Sequence, residues 1–445
     1  MRVVVIGGDA AGGSAASTIK RQLKDAVEVV VLEQQPWTSY SACGIPYWIA
    51  GQTDGLDALI ARTPEQHRAN GLDLHTNVAA TAIDPQRRTV STGEHEYSYD
   101  HLVLATGATP VRPPIPGLDL PGIHNIHTLQ DGLDSIADLA DQRPVRALVV
   151  GGGYVGIEMA EACLDRGLNT TLIDMAEEPM TSLDPDMGRL VHESLVKAGV
   201  EVRMRTPLEE FLADGDGRVT AARTGGGEIP TDVVFLGMGV RPRTELALAA
   251  GVTPGHTGAI ETDLHQRVLG LDGHVWAAGD CVQTYDRVSS TQRYLPLGTH
   301  ANKQGRILGM NIAGTAARFA GVVGTAITKF MDTEIARTGL GEHEATELGH
   351  DVRTATITAT TASGYMPQAS PITVKLIGEP GGRLLGGQIV GGPGSGKRID
   401  VIATALFAGL SVPDILGLDL AYVPPLSPVW DPVQAAARVL LGRLR

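Results

Sequence analysis

A three-part chain, two α/β units followed by a β-rich α+β domain, is the fold class this sequence predicts, and three observations carry it. A strand–glycine turn–helix–strand pattern occurs at Arg2 and again at Arg146. The 55 glycines gather at strand-to-helix turns rather than spreading as a repeat, which suits close backbone approach to ligands. From about Gly321 the texture changes to β-type alternation, as in Ala355-Thr356-Ile357-Thr358-Ala359-Thr360. At 445 residues and 43% hydrophobic content, the chain is too long for one core and suits two or three domains.

The first unit reads as a strand over Arg2–Ile6, the turn Gly7-Gly8-Asp9-Ala10-Ala11-Gly12, a helix to about Gln22, and a strand over residues 27–32 ending at Glu33. A helix N-terminus aimed at such a turn supplies free N–H groups and a positive dipole end for a pyrophosphate. An acid closing the second strand can accept from ribose hydroxyls. Gly7, Gly8, Ala11, Gly12 and Glu33 are therefore candidate dinucleotide contacts. Asp9 stands where G-x-G-x-x-G has its middle glycine. A carboxylate is unfavourable beside a pyrophosphate, so Asp9 should point away or meet a cation.

The second unit has a strand over Arg146–Val150, the full fingerprint Gly151-Gly152-Gly153-Tyr154-Val155-Gly156, a helix through Arg166, and a strand over residues 170–173 ending at Asp174. Gly151, Gly153, Tyr154, Gly156 and Asp174 are its candidate contacts. A carboxylate at Asp174 would bond an adenosine 2′-hydroxyl and repel a 2′-phosphate, which favours NADH over NADPH. Met175, Ala176, Glu177 and Glu178 offer no compensating arginine.

Tyr99-Asp100-His101-Leu102-Val103-Leu104-Ala105-Thr106-Gly107 reads as a strand ending in a glycine turn, and the segment from Asp232 to Gly239 echoes it in the second half. His274-Val275-Trp276-Ala277-Ala278-Gly279-Asp280 is another buried strand closed by an acid. The final part adds a helix over residues 398–409 and a proline-rich tail. Gly391 to Lys397 nearly spells a phosphate loop, but Arg398 stands where a serine or threonine must ligate magnesium, so a glycine-rich turn suffices.

The formal net charge of −14 gives no basic footprint for nucleic acid or a membrane surface. Residues 1–6 are too short an apolar run for a signal peptide, and no stretch of 18 apolar residues occurs, so a cytoplasmic location is expected. His124, His127 and His343 complete no metal shell, and no metal is expected. The three cysteines are too few and scattered for a disulfide framework. Cys163 and Cys281 read as packing. Cys43 differs: in Ser39-Tyr40-Ser41-Ala42-Cys43-Gly44-Ile45-Pro46-Tyr47 it lies between the two nucleotide units, and a helix start beside Gly44 should lower its pKa and make it a thiolate nucleophile.

Two fingerprints, the Ala105-Thr106-Gly107 turn, the Ala277-Ala278-Gly279-Asp280 segment and the lone cysteine make the chain resemble the flavoprotein pyridine nucleotide-disulfide oxidoreductases over nearly its whole length. Within them it resembles the single-cysteine branch of coenzyme A-disulfide reductases, NADH oxidases and NADH peroxidases, because Trp48 stands where a second cysteine would. The resemblance implies two Rossmann-like domains, FAD-binding from residues 1–115 with 241–320 and NAD(P)H-binding from 116–240, plus an α+β dimerisation domain over 321–445 that makes a homodimer. It places Glu33 on the FAD ribose, Asp280 on the ribityl chain, and Thr106, Gly107, Gly239, Pro296 and Leu297 among the cofactor contacts, with a helix after Leu297 near the flavin ring.

Ala10 replaces the active-site histidine of the peroxidases and water-forming oxidases, which favours the coenzyme A-disulfide reductase side. Tyr365 and Tyr422 resemble tail tyrosines that reach across the dimer, where a phenol can protonate a departing thiolate. Ser39, Arg21 and Arg62 resemble coenzyme A contacts. Against this, Ala42, Leu426 and the Asn70-Gly71 pair depart from the family pattern. The implied activity passes electrons from NADH through FAD and Cys43 to a small disulfide such as coenzyme A disulfide. The alternatives are oxygen, a persulfide or polysulfide and, in a different class, a flavin-bound redox sensor.

Overall fold

Alternation along the first strand shows why it lies at the centre of a covered sheet: Val3 and Val5 enter one apolar cluster while Val4 and Ile6 enter another, and all four are buried. The computed structural model describes residues 1–271 and 273–444. Asp272 and Arg445, which fall within the expected first and last domains, lie outside the described residues. The strand β1 (Arg2–Ile6) is followed by helix α1 (Ala10–Leu23) and by β2 (Glu28–Glu33). With β3 (Asp73–Thr76), they form a parallel sheet of five strands in the order Val275–Ala277, His101–Leu104, β1, β2, β3. Both the helix end and the second strand differ by a single residue from the sequence expectation.

The second sheet repeats the plan. Its parallel strands run Ile123–Asn125, Val233–Leu236, Arg146–Val150, Asn169–Ile173, Glu201–Arg203. Ala147 and Val149 enter one cluster, Leu148 and Val150 the other. In each sheet the order reverses beside the first strand, which opens a crevice at the carboxyl ends.

The glycine turns are enforced by backbone contact. A Cβ on Gly7 (φ +99°) would lie 2.2 Å from the Ala105 carbonyl oxygen, and one on Gly151 (φ +104°) 2.4 Å from that of Gly237. The next approach is tighter still: Gly12 and Gly156 would each put a Cβ 1.8 Å from the oxygen of Gly7 or Gly151. No side chain fits there, so the helices start directly over the strand ends.

The third part is an antiparallel sheet of five strands, Ala326–Phe330, Thr333–Gly339, Leu384–Gly391, Pro371–Gly378 and Arg353–Thr360, packed by the helices Ile399–Ala408 and Pro432–Arg443. Lys375, only 3% exposed, ties it to the second unit through Asp184 at 3.0 Å and Asp186 at 2.8 Å, and pairs within its own part with Glu342 at 2.8 Å. The N–H groups of Gly394 and Gly396 in the loop that resembled a phosphate site are taken by Glu334 at 3.0 and 2.6 Å. Among the described residues no helix is long and apolar enough to cross a membrane.

Candidate functional site

The two acids at the strand ends do matching work. Glu33 accepts from Gly8 N at 2.7 Å and from Gln35 N at 2.8 Å, and Asp174 accepts from Gly152 N at 2.6 Å and from Ala176 N at 2.8 Å. Each carboxylate fixes its own glycine turn and keeps further lone pairs for a ribose. Thr38 donates to the Gly8 carbonyl and holds the turn from the other side.

A cleft of about 320 Å³ opens at the carboxyl end of the first sheet, lined by Gly7, Glu33, Thr106, Gly107, Arg243 and Asp280. Thr106 donates to the Arg243 carbonyl at 2.6 Å, and a Cβ on Gly107 would enter open space, so glycine there keeps the cleft clear. Asp280 has no hydrogen-bond partner among the described residues, and burial pushes its carboxyl up to about 6. Asp9, expected to point away or meet a cation, accepts from the backbone Tyr40 N at 3.1 Å. Burial, with Glu33 nearby, also pushes Asp9 up to about 6. No side chain caps α1, whose first-turn N–H groups remain available to a phosphate. An uncapped helix over a glycine turn, an unpartnered acid and an open crevice fit FAD.

In the second unit Gly153 and Gly239 likewise face open space, and Tyr154 Oη accepts from Ser182 Oγ at 3.3 Å. Burial pushes the Tyr154 phenol up. The fold brings Arg205, from beyond the last strand of this sheet, onto Glu177. The sequence shows no such pairing, because the two residues belong to different crossovers.

Cys43 is exposed, in the short turn Ala42–Gly44 that leads into α2 (Ile45–Ala50). Its thiol corrects the expectation of a lowered pKa: partial desolvation, then the carboxylates of Glu158 and Asp280, push it up. The helix that was to stabilise a thiolate has six residues, and the two acids come from other elements. Glu158 Oε1 accepts from Thr328 Oγ1 at 2.8 Å. Cys163 and Cys281 are buried, and Cys281 Sγ donates to carbonyl oxygens of Leu104 and Ala278, so both belong to packing.

Beside the turn lies a groove of about 590 Å³ whose walls include Arg21, Ser39 and Arg62. Three groups that the sequence did not single out as ligand contacts join them: His67, Lys303 and Arg306. Lys303 and Arg306 sit three positions apart on the helix Gly298–Ile312, a spacing that puts both on one face. That helix reaches the groove because Gly305 packs on α1, where a Cβ would come 2.1 Å from the Ala11 carbonyl. Among the described residues Arg21, Arg62, Lys303 and Arg306 form no ion pair, although the chain carries a net −14. Over the basic gap at Asn70-Gly71 lies the Lys20 stem, which would meet a Gly71 Cβ at 2.7 Å.

Pro296 and Leu297 precede that helix and are not among the residues lining the cleft. Tyr365 and Tyr422 line neither cavity. They are 75% and 49% exposed, and Tyr422 shares the tail surface with exposed Val423, Leu426, Val429 and Trp430.

Two sheets whose first strands end in glycine turns, with one accessible thiol in the turn beside the first cleft, define an NAD(P)H-dependent flavoenzyme. The chain belongs to the pyridine nucleotide-disulphide oxidoreductases: residues 1–305 match that family and residues 325–432 its dimerisation domain. Its cofactors are accordingly FAD and NAD(P)H. It is similar to the NAD(P)H coenzyme A polysulfide/persulfide reductase of Pyrococcus horikoshii, 40% identical over 444 residues, 99% of this chain and 98% of that one. The NADH oxidase of Methanocaldococcus jannaschii is 35% identical, covering 100% of this chain and 99% of that one. The solved NAD-dependent persulfide reductase from A. fulgidus superposes with TM-score 0.94 at 37% identity, covering 100% of this chain and 83% of that one.

Proposed function

We propose that the protein reduces the disulfide of a small polyanionic thiol, coenzyme A disulfide, at Cys43, with NADH as the preferred donor. One observation carries this: Ala42 lines the cleft of the first sheet and Ser41 lines the basic groove, so the residues leading into Cys43 border both cavities. FAD would be held by residues 1–115 and 241–320, the nicotinamide by 116–240, with 321–445 pairing two copies into a homodimer. Bound FAD supplies the means of passing an electron pair from NADH to sulfur.

Arg21, Arg62, Lys303 and Arg306 hold the acceptor's phosphates. Cys43 Sγ, once deprotonated, attacks the acceptor's S–S bond, forming a mixed disulfide and releasing one thiolate. The electron pair then opens the mixed disulfide, restores the Cys43 thiolate and releases the second thiol. Tyr422 of the partner subunit protonates a departing thiolate, with Tyr365 the second candidate donor. Asp174 favours NADH by repelling a 2′-phosphate.

A second reading, reduction of a coenzyme A persulfide with release of sulfide, uses the same groove and cysteine. The named activity of the Pyrococcus horikoshii relative favours it. Air-free NADH oxidation separates the readings: coenzyme A disulfide should be turned over well above both coenzyme A persulfide and an uncharged disulfide, with the advantage over the uncharged one fading as salt rises. Equal rates for charged and uncharged disulfides, or NADH consumption only with oxygen, would reject it.

A further inference from the structure

His67, like Asp9 and Tyr40, is a titratable side chain of the groove that this chemistry leaves idle. It is 3% exposed, on helix α3 (Pro64–Ala69). Its Nε2 lies 2.8 Å from Ser39 Oγ, while the buried Nδ1 has no partner among the described residues. Ser39 is held rigidly. Its backbone is left-handed at φ +50°, and its carbonyl accepts from Ala61 N at 2.8 Å. The same segment runs into the Thr63–Gln66 capping box that starts α3. Gly13 leaves room for the hydroxyl, since a Cβ there would sit 3.2 Å from Ser39 Oγ.

Burial, and then the charge of Arg62, push the His67 imidazole down, so the ring is neutral near pH 7 and one of two tautomers must be present. A proton on Nδ1 would bury an N–H with no acceptor. A proton on Nε2 leaves only an unpaired lone pair there, the less costly defect. The ring then donates to Ser39 Oγ, and that hydroxyl, with no other partner among the described residues, keeps its own proton to give away.

We infer that His67 is a positioning residue: by donating from Nε2 to Ser39 Oγ it turns the Ser39 hydroxyl proton into the groove, onto an anionic group of the acceptor. The inference rests on the proposed coenzyme A reading. Holoenzyme is assayed with coenzyme A disulfide as the varied substrate. H67F and S39A should each raise KM about tenfold to a hundredfold, the usual range for a hydrogen bond to a charged group, with a smaller change in kcat. The double variant should be no worse than either single variant, because both remove one bond. H67Q, whose amide can donate from near the Nε2 position, should recover most of the loss. Should H67F fail to fold, H67N, whose amide is too short to reach Ser39, takes its place. Wild-type KM in H67F or H67N, additive effects in the double variant, or H67Q as poor as H67F would each overturn the inference. If wild type itself shows no saturation by coenzyme A disulfide, the proposed function fails and takes the inference with it. If wild type saturates and H67F matches it, only the inference falls.

Discussion

Replacing Glu33 by glutamine should weaken FAD binding by about tenfold, and the number follows from what the carboxylate touches. Glu33 is 7% exposed and accepts two backbone N–H bonds, from Gly8 at 2.7 Å and Gln35 at 2.8 Å. An amide of the same shape has one acceptor oxygen, so its NH2 must face one of those donors. Losing a charge-assisted bond and leaving a buried N–H unmet costs about 1.5–3 kcal/mol, roughly ten- to hundredfold. Relief of desolvation works the other way, because burial pushes the Glu33 carboxyl up, and the neutral amide sheds that penalty. The lower end of the range should therefore hold. Titrating FAD into the stripped protein and following flavin fluorescence measures it. A dissociation constant within about twofold of wild type would show that the Gly8 turn does not depend on this carboxylate.

Other consequences follow from the charges around the cleft. Desolvation is the larger cause of the raised Cys43 pKa and Glu158 the next, so Glu158→Gln should lower the pH midpoint of Cys43 alkylation by iodoacetamide. An unchanged or higher midpoint contradicts that. Burial raises Asp280 from 3.8 to about 6, so its contribution to folding is present below pH 3.8 and is lost as pH rises through about 6. FAD-free Asp280→Asn should therefore melt higher than FAD-free wild type at about pH 8 and show no such gain at about pH 4. Equal differences at both pH values would refute the assignment.

How much was legible in the chain depends on how local the cause is. Gly7, Gly12, Gly151 and Gly156 could be read directly, because a side chain at any of them would strike a backbone oxygen of its own unit or of the neighbouring strand. The alternation of Val3, Val4, Val5 and Ile6 likewise marked a strand covered on both faces. Charges from distant segments were another matter. The Cys43 pKa is raised first by desolvation and then by Glu158 and Asp280, which the fold carries to it from a different helix and a different strand end. Lys303 and Arg306 look like ordinary helix cations until Gly305 lays their helix on α1 and faces them to the groove. His67 carried no motif at all, and only the packing of α3 beside Ser39 gives it a partner. Arg205 and Glu177 pair across the edge of the second sheet, where no sequence spacing links them.

In the proposed function one accessible sulfur carries electrons from the flavin cleft to the basic groove. Cys43→Ser tests it most directly, in a rapid-mixing experiment that watches flavin bleaching by NADH and thiol release from coenzyme A disulfide in the same sample. The flavin should still be reduced, and thiol release should stop. Thiol release at the wild-type rate would contradict the claim and move the chemistry to another group.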